Sequence, residues 1–372
     1  MSTAGPSQGA TASLAGNILS AAQTAAQTGG RFTAPRIKVQ RRAVHGVLLL
    51  DKPLGLSSNQ ALQKAKWLLR AEKAGHTGTL DPLATGVLPL CFGAATKFSQ
   101  VQLEANKTYE ATLRLGLKTT TADAEGDVIQ TRAVPDITPE LLAALTARFS
   151  GPLAQTPPMY CALKKDGKAL YEYARKGLDV VREARNITIF TLKLYVAPDF
   201  IAFPAIKIIV SCSKGTYIRT LGEDIGEAIG CGGHLSSLRR IETGGFTISQ
   251  CITLDALEAL PDSARQTLLL PPQALVAAFP SVTLDAENAV RFLSGLRRRG
   301  TVGQWGSDAS MVQVFGPIGD TLVPAFLGSA QLTADELIAQ RLLSSPEIEQ
   351  MVEAREHRIE KMALEPPGLA AA

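Results

Sequence analysis

Two long β-like runs, Asn186 to Val196 and Phe200 to Cys212, lie almost end to end and lead into a stretch with helical spacing from Thr216 to Ile229. Other segments add to the mixture. Gly46-Val-Leu-Leu-Leu-Asp51 is a short apolar run ended by the breaker Lys52-Pro-Leu-Gly55, the pattern of a buried strand. Ser57 or Ser58 then caps a helix whose Leu62, Ala65 and Leu69 share one face. Tyr109 to Leu115 alternates as a strand, and Thr138-Pro139-Glu140 opens a helix with a cap residue and a first-turn proline. Paired strands with intervening helices, without regular βαβ alternation, predict an α+β fold with a substantial antiparallel sheet.

The chain has 372 residues, 45% of them hydrophobic and 19% charged, enough apolar material for a core without disulfides or structural metal. Residues 1–43, rich in Ala, Thr, Gln, Ser and Gly, read as a disordered tail, with structure starting at Val44. The texture changes at Pro271 to Pro280. Beyond it, one helix (Ala286 to Leu293) and short strands broken by glycines form a small β-rich appendage, and the acidic stretch past Thr333 reads as a peripheral helix. No apolar run approaches the roughly 20 residues of a membrane span, and no secretory signal opens the chain, so a cytoplasmic protein is expected. The five cysteines are scattered without a C-x-x-C pair and read as buried free thiols. From Arg36 to Lys73 nine basic residues face two acidic ones, and Arg297-Arg-Arg299 lacks an acidic neighbour in sequence; both suit a polyanionic partner or a solvated face.

The densest chemical signal is Gly75-His-Thr-Gly-Thr-Leu-Asp-Pro-Leu-Ala-Thr-Gly86. Its glycines imply tight turns, and Pro82 holds Asp81 away from helical geometry, presenting a carboxylate or capping nearby amides. His76 with Asp81 lacks the further ligands a metal site needs, and no Gly-Lys-Ser/Thr makes a phosphate loop. A second cluster, Ser211-Cys-Ser-Lys-Gly-Thr-Tyr-Ile-Arg-Thr220, joins strand to helix. Tyr217 and Arg219 there face one site if the segment is still extended, with Arg219 suited to a carboxylate; alternatively the helix N-terminus and Lys214 bind phosphate. Lys107-Thr-Tyr109 and Gln155-Thr-Pro-Pro-Met-Tyr160 offer rings for base stacking or for the core.

Together with Asp51-Lys-Pro-Leu-Gly-Leu-Ser-Ser58 and His234-Leu-Ser-Ser-Leu-Arg-Arg240, these motifs stand in the same order as in the bacterial tRNA pseudouridine-55 synthases, which the chain closely resembles over about residues 44–278. The resemblance implies the pseudouridine synthase fold, with a mixed, largely antiparallel central sheet over 44–278. It also implies a PUA-like RNA-binding domain over 279–331, leaving an acidic helical or disordered tail over 332–372. It implies that Asp81 is the catalytic aspartate, His76 meets the displaced nucleotide and Tyr109 stacks on the target uracil. By the same resemblance Tyr217 and Leu238 line the pocket, Arg219 partners the aspartate, and Lys52 is a basic residue behind the site. The expected activity is isomerisation of the T-loop uridine of tRNA, without metal or cofactor, by a chain that needs no protein partner and acts as a monomer. Two rivals compete with it: a noncatalytic RNA-binding or tRNA-folding protein on the same scaffold, and a metal-dependent hydrolase built on His76 and Asp81.

Overall fold

The computed structural model describes residues 40–198, 204–299, 310–319, 323–333 and 336–364. The tail expected over 1–43 lies outside them as far as residue 39.

The body is a ten-stranded mixed sheet. Its first strands are β1 (Gly46–Lys52), β2 (Ala74–His76), β3 (Ala84–Phe92) and β4 (Lys107–Leu115). A hairpin of β5 (Leu117–Thr119) and β6 (Val128–Thr131) then leaves the sheet, and β7 (Gly151–Gln155) rejoins it at one edge. After a second hairpin, β8 (Lys164–Lys165) and β9 (Lys168–Ala169), come β10 (Arg185–Val196), β11 (Ala205–Cys212), β12 (Gly233–Thr243), β13 (Phe246–Thr247) and β14 (Ile252–Thr253). The spatial order is β14-β1-β3-β12-β4-β11-β10-β7, with β2 on β3 and β13 on β12. The β1–β14 and β3–β12 pairs are parallel and the other pairs in this sheet are antiparallel. The late strand β12 therefore slots between the early strands β3 and β4, so residues far apart in sequence meet at the sheet centre.

Both faces of the sheet are covered, and β1 shows why its sequence is a continuous apolar run. By strand alternation Leu48 and Leu50 join one core while Val47 and Leu49 join another. The first core packs β1, β3, β4 and β10–β12 against helices Ser58–Leu68, Pro139–Arg148 and Ile218–Ile229. Helix Ser58–Leu68 starts as its sequence dictates, with a capping box between Ser57 and Gln60 that satisfies first-turn amides.

The second core joins the other face to the C-terminal appendage: Val47, Val87, Cys91 and Phe98 pack with Val282, Phe292, Val314 and Phe326. The appendage is a five-stranded sheet of β15 (Ser281–Thr283), β16 (Arg298–Arg299), β17 (Ser310–Gly316), β18 (Ala325–Thr333) and β19 (Glu336–Leu342), ordered β15-β17-β18-β19-β16, with the expected helix at Ala286–Leu293. Strand β19 corrects the sequence-based boundary at 331. The segment assigned to the tail supplies a full strand that pairs with β18 and buries Leu337 in the core, which the acidic composition of the stretch hides. The helix that follows, Ser345–Leu364, is not peripheral at its start: Ile348 is buried in the second core and Glu347 pairs with Lys97 at 2.5 Å. Arg297 also has an acidic neighbour in space, Glu336 at 3.7 Å, supplied by that same strand.

Because the two sheets share this core, truncating a residue within it should weaken both together. Phe98, fully buried with its ring 5.2 Å from that of Phe326, is the probe. Phe98→Ala should cost about 3–5 kcal/mol, read as one urea transition by circular dichroism. Two separated transitions would show that the appendage unfolds independently.

Candidate active site

Asp81 lies in the turn just before β3, and two neighbours hold that turn by its backbone. The buried Ser58 hydroxyl donates to the Leu80 carbonyl at 3.0 Å and accepts from the Leu80 amide at 2.7 Å. On the other side the Gly55 amide donates to the Pro82 carbonyl at 2.9 Å. The carboxylate is thus presented from a clamped backbone, with 38% of its side chain still exposed. Loss of surrounding water raises its pKa, and the Arg219 charge pulls it back down.

Arg219 enters from the first turn of helix Ile218–Ile229, and Tyr217 is the residue before that helix, in extended geometry. The extended reading therefore holds at Tyr217 and ends there, two residues before Arg219, which is already helical. Arg219 is 5% exposed, and its guanidinium is divided among four groups. Nη2 lies 3.0 Å from Asp81 Oδ2 and donates to the Tyr160 carbonyl at 2.6 Å. Nη1 lies 3.5 Å from Asp123 Oδ2 and donates to the Thr121 carbonyl at 3.0 Å. Asp81 is held by one arm of the fork, and the other arm reads Asp123. Lys214, the cation that a phosphate at the helix start would use, pairs instead with Glu104.

The other expected residues come to the same region. Lys52, at the end of β1, is fully buried; Nζ donates to the Pro53 and Leu56 carbonyls at 2.9 and 2.5 Å. Burial lowers its pKa to about 8, while the charges of Asp81 and Glu125 oppose that fall. His76 ends β2, half-buried, with Nδ1 unpartnered and its pKa lowered chiefly by desolvation. Tyr109 is buried on β4, and its pKa is raised by burial. Leu238, on β12, is paired in register with Ala84 of β3 and Ala111 of β4, two small residues that leave room above it. The backbone of Tyr217 is locked by Gln155, which accepts from its amide at 2.7 Å and donates to its carbonyl at 3.0 Å. Tyr160, read as a candidate stacking ring, contributes its carbonyl to Arg219.

Three features escaped the sequence reading. Asp123 is buried in the β5–β6 loop, accepting from the Thr121 hydroxyl at 2.5 Å and the Glu125 amide at 3.0 Å. Its only sequence signal is the turn-rich run Thr119-Thr-Thr-Ala-Asp-Ala-Glu-Gly126, which does not say that a backbone bridge to Leu235 carries it under Arg219. Arg240 is fully buried beside Tyr109. Third, the β8–β9 hairpin and following turn expose Lys164, Lys165, Lys168, Arg175 and Lys176, five basic residues against Asp166 and Glu172. Among the described residues no three His, Cys, Asp or Glu side chains converge as metal ligands, and no helix is long and apolar enough to cross a membrane.

Residues 66–218 match the N-terminal domain of the TruB family pseudouridylate synthases, and residues 219–277 match the tRNA pseudouridylate synthase B C-terminal domain. A relative from Verminephrobacter eiseniae, called tRNA pseudouridine synthase B, is 58% identical over 327 residues, covering 87% of this chain and 96% of its own. Another of that name, from Ralstonia pickettii, is 60% identical over 260 residues, covering 70% of this chain and 81% of its own. Among solved structures, an archaeal box H/ACA sRNP Nop10–Cbf5 complex superposes with a TM-score of 0.58 at 21% identity, covering 81% of this chain and 86% of that one, a likeness of fold. On these matches, which span the clamped aspartate turn, the guanidinium that reaches it and the central strands between, the chain belongs to the TruB family of pseudouridylate synthases.

Proposed function

We propose that this chain is a tRNA pseudouridine synthase that converts the T-loop uridine, position 55 of tRNA, to pseudouridine, with Asp81 as the catalytic group. The observation that carries the reading is the partly exposed Asp81 carboxylate held by a buried guanidinium, Arg219 Nη2 at 3.0 Å. The reaction breaks C1′–N1, turns the base and forms C1′–C5; the C5 proton leaves and N1 regains one, so nothing is oxidised or added. Asp81 serves as nucleophile at C6 or C1′, or assists proton removal toward a glycal. Arg219 keeps it ionised and aimed, and Asp123 positions Arg219. Tyr109 stacks on the uracil, Tyr217 and Leu238 line the pocket, and Lys52 supplies positive charge behind it. The base must first leave its stack, a cost of a few kcal/mol offset by such contacts, and His76 stands where the vacated space is filled. The isomerisation as written uses no metal or cofactor, and the enzyme acts in the cytoplasm as a single chain. Residues 44–278 form the catalytic domain and the five-stranded sheet a PUA-like RNA-binding domain.

Asp81→Asn should abolish tritium release from C5-labelled uridine in tRNA while leaving tRNA affinity nearly unchanged, because phosphate contacts supply most of the binding. Activity within about tenfold of wild type would sink the assignment and favour a noncatalytic tRNA-binding protein if affinity persists.

The pH dependence follows from the same pair. Arg219 lowers the pKa of Asp81, so a weaker contact lets that pKa rise further. Arg219→Lys, which cannot serve all four partners of the fork, should slow the reaction and move the acid limb of the pH–rate profile to higher pH. A lysine variant with an unmoved limb would mean that another group keeps Asp81 ionised.

The exposed basic hairpin suits RNA backbone contacts. Replacing Lys164, Lys165 and Lys168 with Ala should weaken tRNA binding and reduce the slope of log affinity against log salt by about 2–3, with the rate at saturating RNA unchanged. An unaltered slope would move the RNA face to the basic stretch before Lys73.

A further inference from the structure

Arg239 and Arg240 are consecutive on β12, so strand alternation sends them to opposite faces. Arg239 reaches a carboxylate, donating from Nη1 and Nη2 to the two oxygens of Asp51 at 3.1 and 2.7 Å. Arg240 reaches none among the described residues. Its side chain is fully buried, Nε donates to the Val87 carbonyl at 2.7 Å, and Nη2 has no partner. A buried cation without a counter-charge is costly, and an apolar side chain of similar reach would fill the space at less cost. Packing alone is a poor reason for an arginine here.

Its neighbours suggest a better one. In register, Arg240 is paired with Gly86 of β3 and with Tyr109 of β4, and its charge acts on the Tyr109 side chain beside it. Gly78, with φ +119°, sits in the turn after His76 and Thr77; a Cβ there would lie 3.6 Å from Arg240 Nη1, so the guanidinium runs close against this turn. His76 Nδ1 and Thr77 Oγ1, on that turn, are themselves buried without partners. One planar cation thus bridges the strand bearing the proposed stacking ring and the turn bearing the imidazole.

We propose that Arg240 is a positioning residue: anchored on the Val87 carbonyl, it holds the Tyr109 ring and the His76–Gly78 turn in the mutual geometry that receives the flipped base. This rests on the pseudouridine synthase reading above. The titratable groups facing the guanidinium are Tyr109 and Lys107 of β4, His76 of β2, Lys52 of β1 and Cys251 just before β14. Burial first and the Arg240 charge second lower the pKa of His76.

The test uses the full chain with Arg240→Met, Arg240→Lys and, as a control on the opposite face, Arg239→Gln. Single-turnover tritium release, tRNA affinity, melting temperature and the NMR titration of His76 are read for each. The Met variant should melt within a few degrees of wild type and bind tRNA within about threefold, yet react at least about 30-fold more slowly. In it the His76 titration should move to higher pH. Arg240→Lys should fall between Met and wild type, and Arg239→Gln should keep the wild-type rate and His76 titration. A Met variant with the wild-type rate overturns the proposal. So does a melting temperature that falls in step with the rate, or failure of both Arg240 variants to fold, since the role is then structural. If the wild-type chain itself releases no tritium, the isomerase reading fails first and this proposal with it.

Discussion

The guanidinium of Arg219 is the contact on which the rest of the site depends. It joins four partners from three segments that are remote in sequence: Asp81 in its turn, Asp123 and the Thr121 carbonyl in one loop, and the Tyr160 carbonyl. Each partner takes a different N–H direction of one rigid plane, so the fork sets the relative positions of all four. A cation this deeply buried is tolerable because its donors are met and charge is balanced locally, with Asp123 beneath it and Asp81 at the cleft. Asp123 neutralises and aims, which leaves Asp81 free on its solvent side.

Around that pair the site is assembled from cations and rings. Lys52 and Arg240 are fully buried, and Lys107 is partly so, with its pKa lowered to about 8. The charges of Arg219 and Lys52 act against the desolvation that raises the pKa of Asp81. The arrangement is possible because strand β12 lies between β3 and β4, where Gly86 allows the Arg240 backbone to approach so closely that a Cβ would lie 2.1 Å from its carbonyl oxygen. The same sheet uses its opposite face to seat the C-terminal sheet in a shared core, so the small domain is held to the catalytic one by buried side chains as well as by the chain connecting them.

Much of this was legible before any coordinates. The capped helix after β1, the strand at Tyr109 to Leu115, the helix opened by Thr138-Pro139 and the one at Ala286–Leu293 all follow from local patterning and cap chemistry, which act within a few residues. The contact between Arg219 and Asp81 was expected from the ordered motifs. Asp123 and Arg240 were not, because an aspartate in a polar turn and an arginine in an Arg-Arg pair carry no local mark of burial. Strand β19 was missed for a related reason: its acidic flank outweighed the short apolar run Leu337-Ile-Ala339.

By itself, then, the sequence determined the secondary elements, the α+β class and the residue types available for chemistry, since propensity, capping and periodicity are short-range effects. Only the tertiary structure decided which arginine of the Arg239–Arg240 pair is buried beside Tyr109 and which further aspartate, Asp123, lies against Arg219. That choice depends on strand order and on which face of a strand a side chain occupies. Both are consequences of burying two apolar faces at once, and neither is written at any single position in the chain.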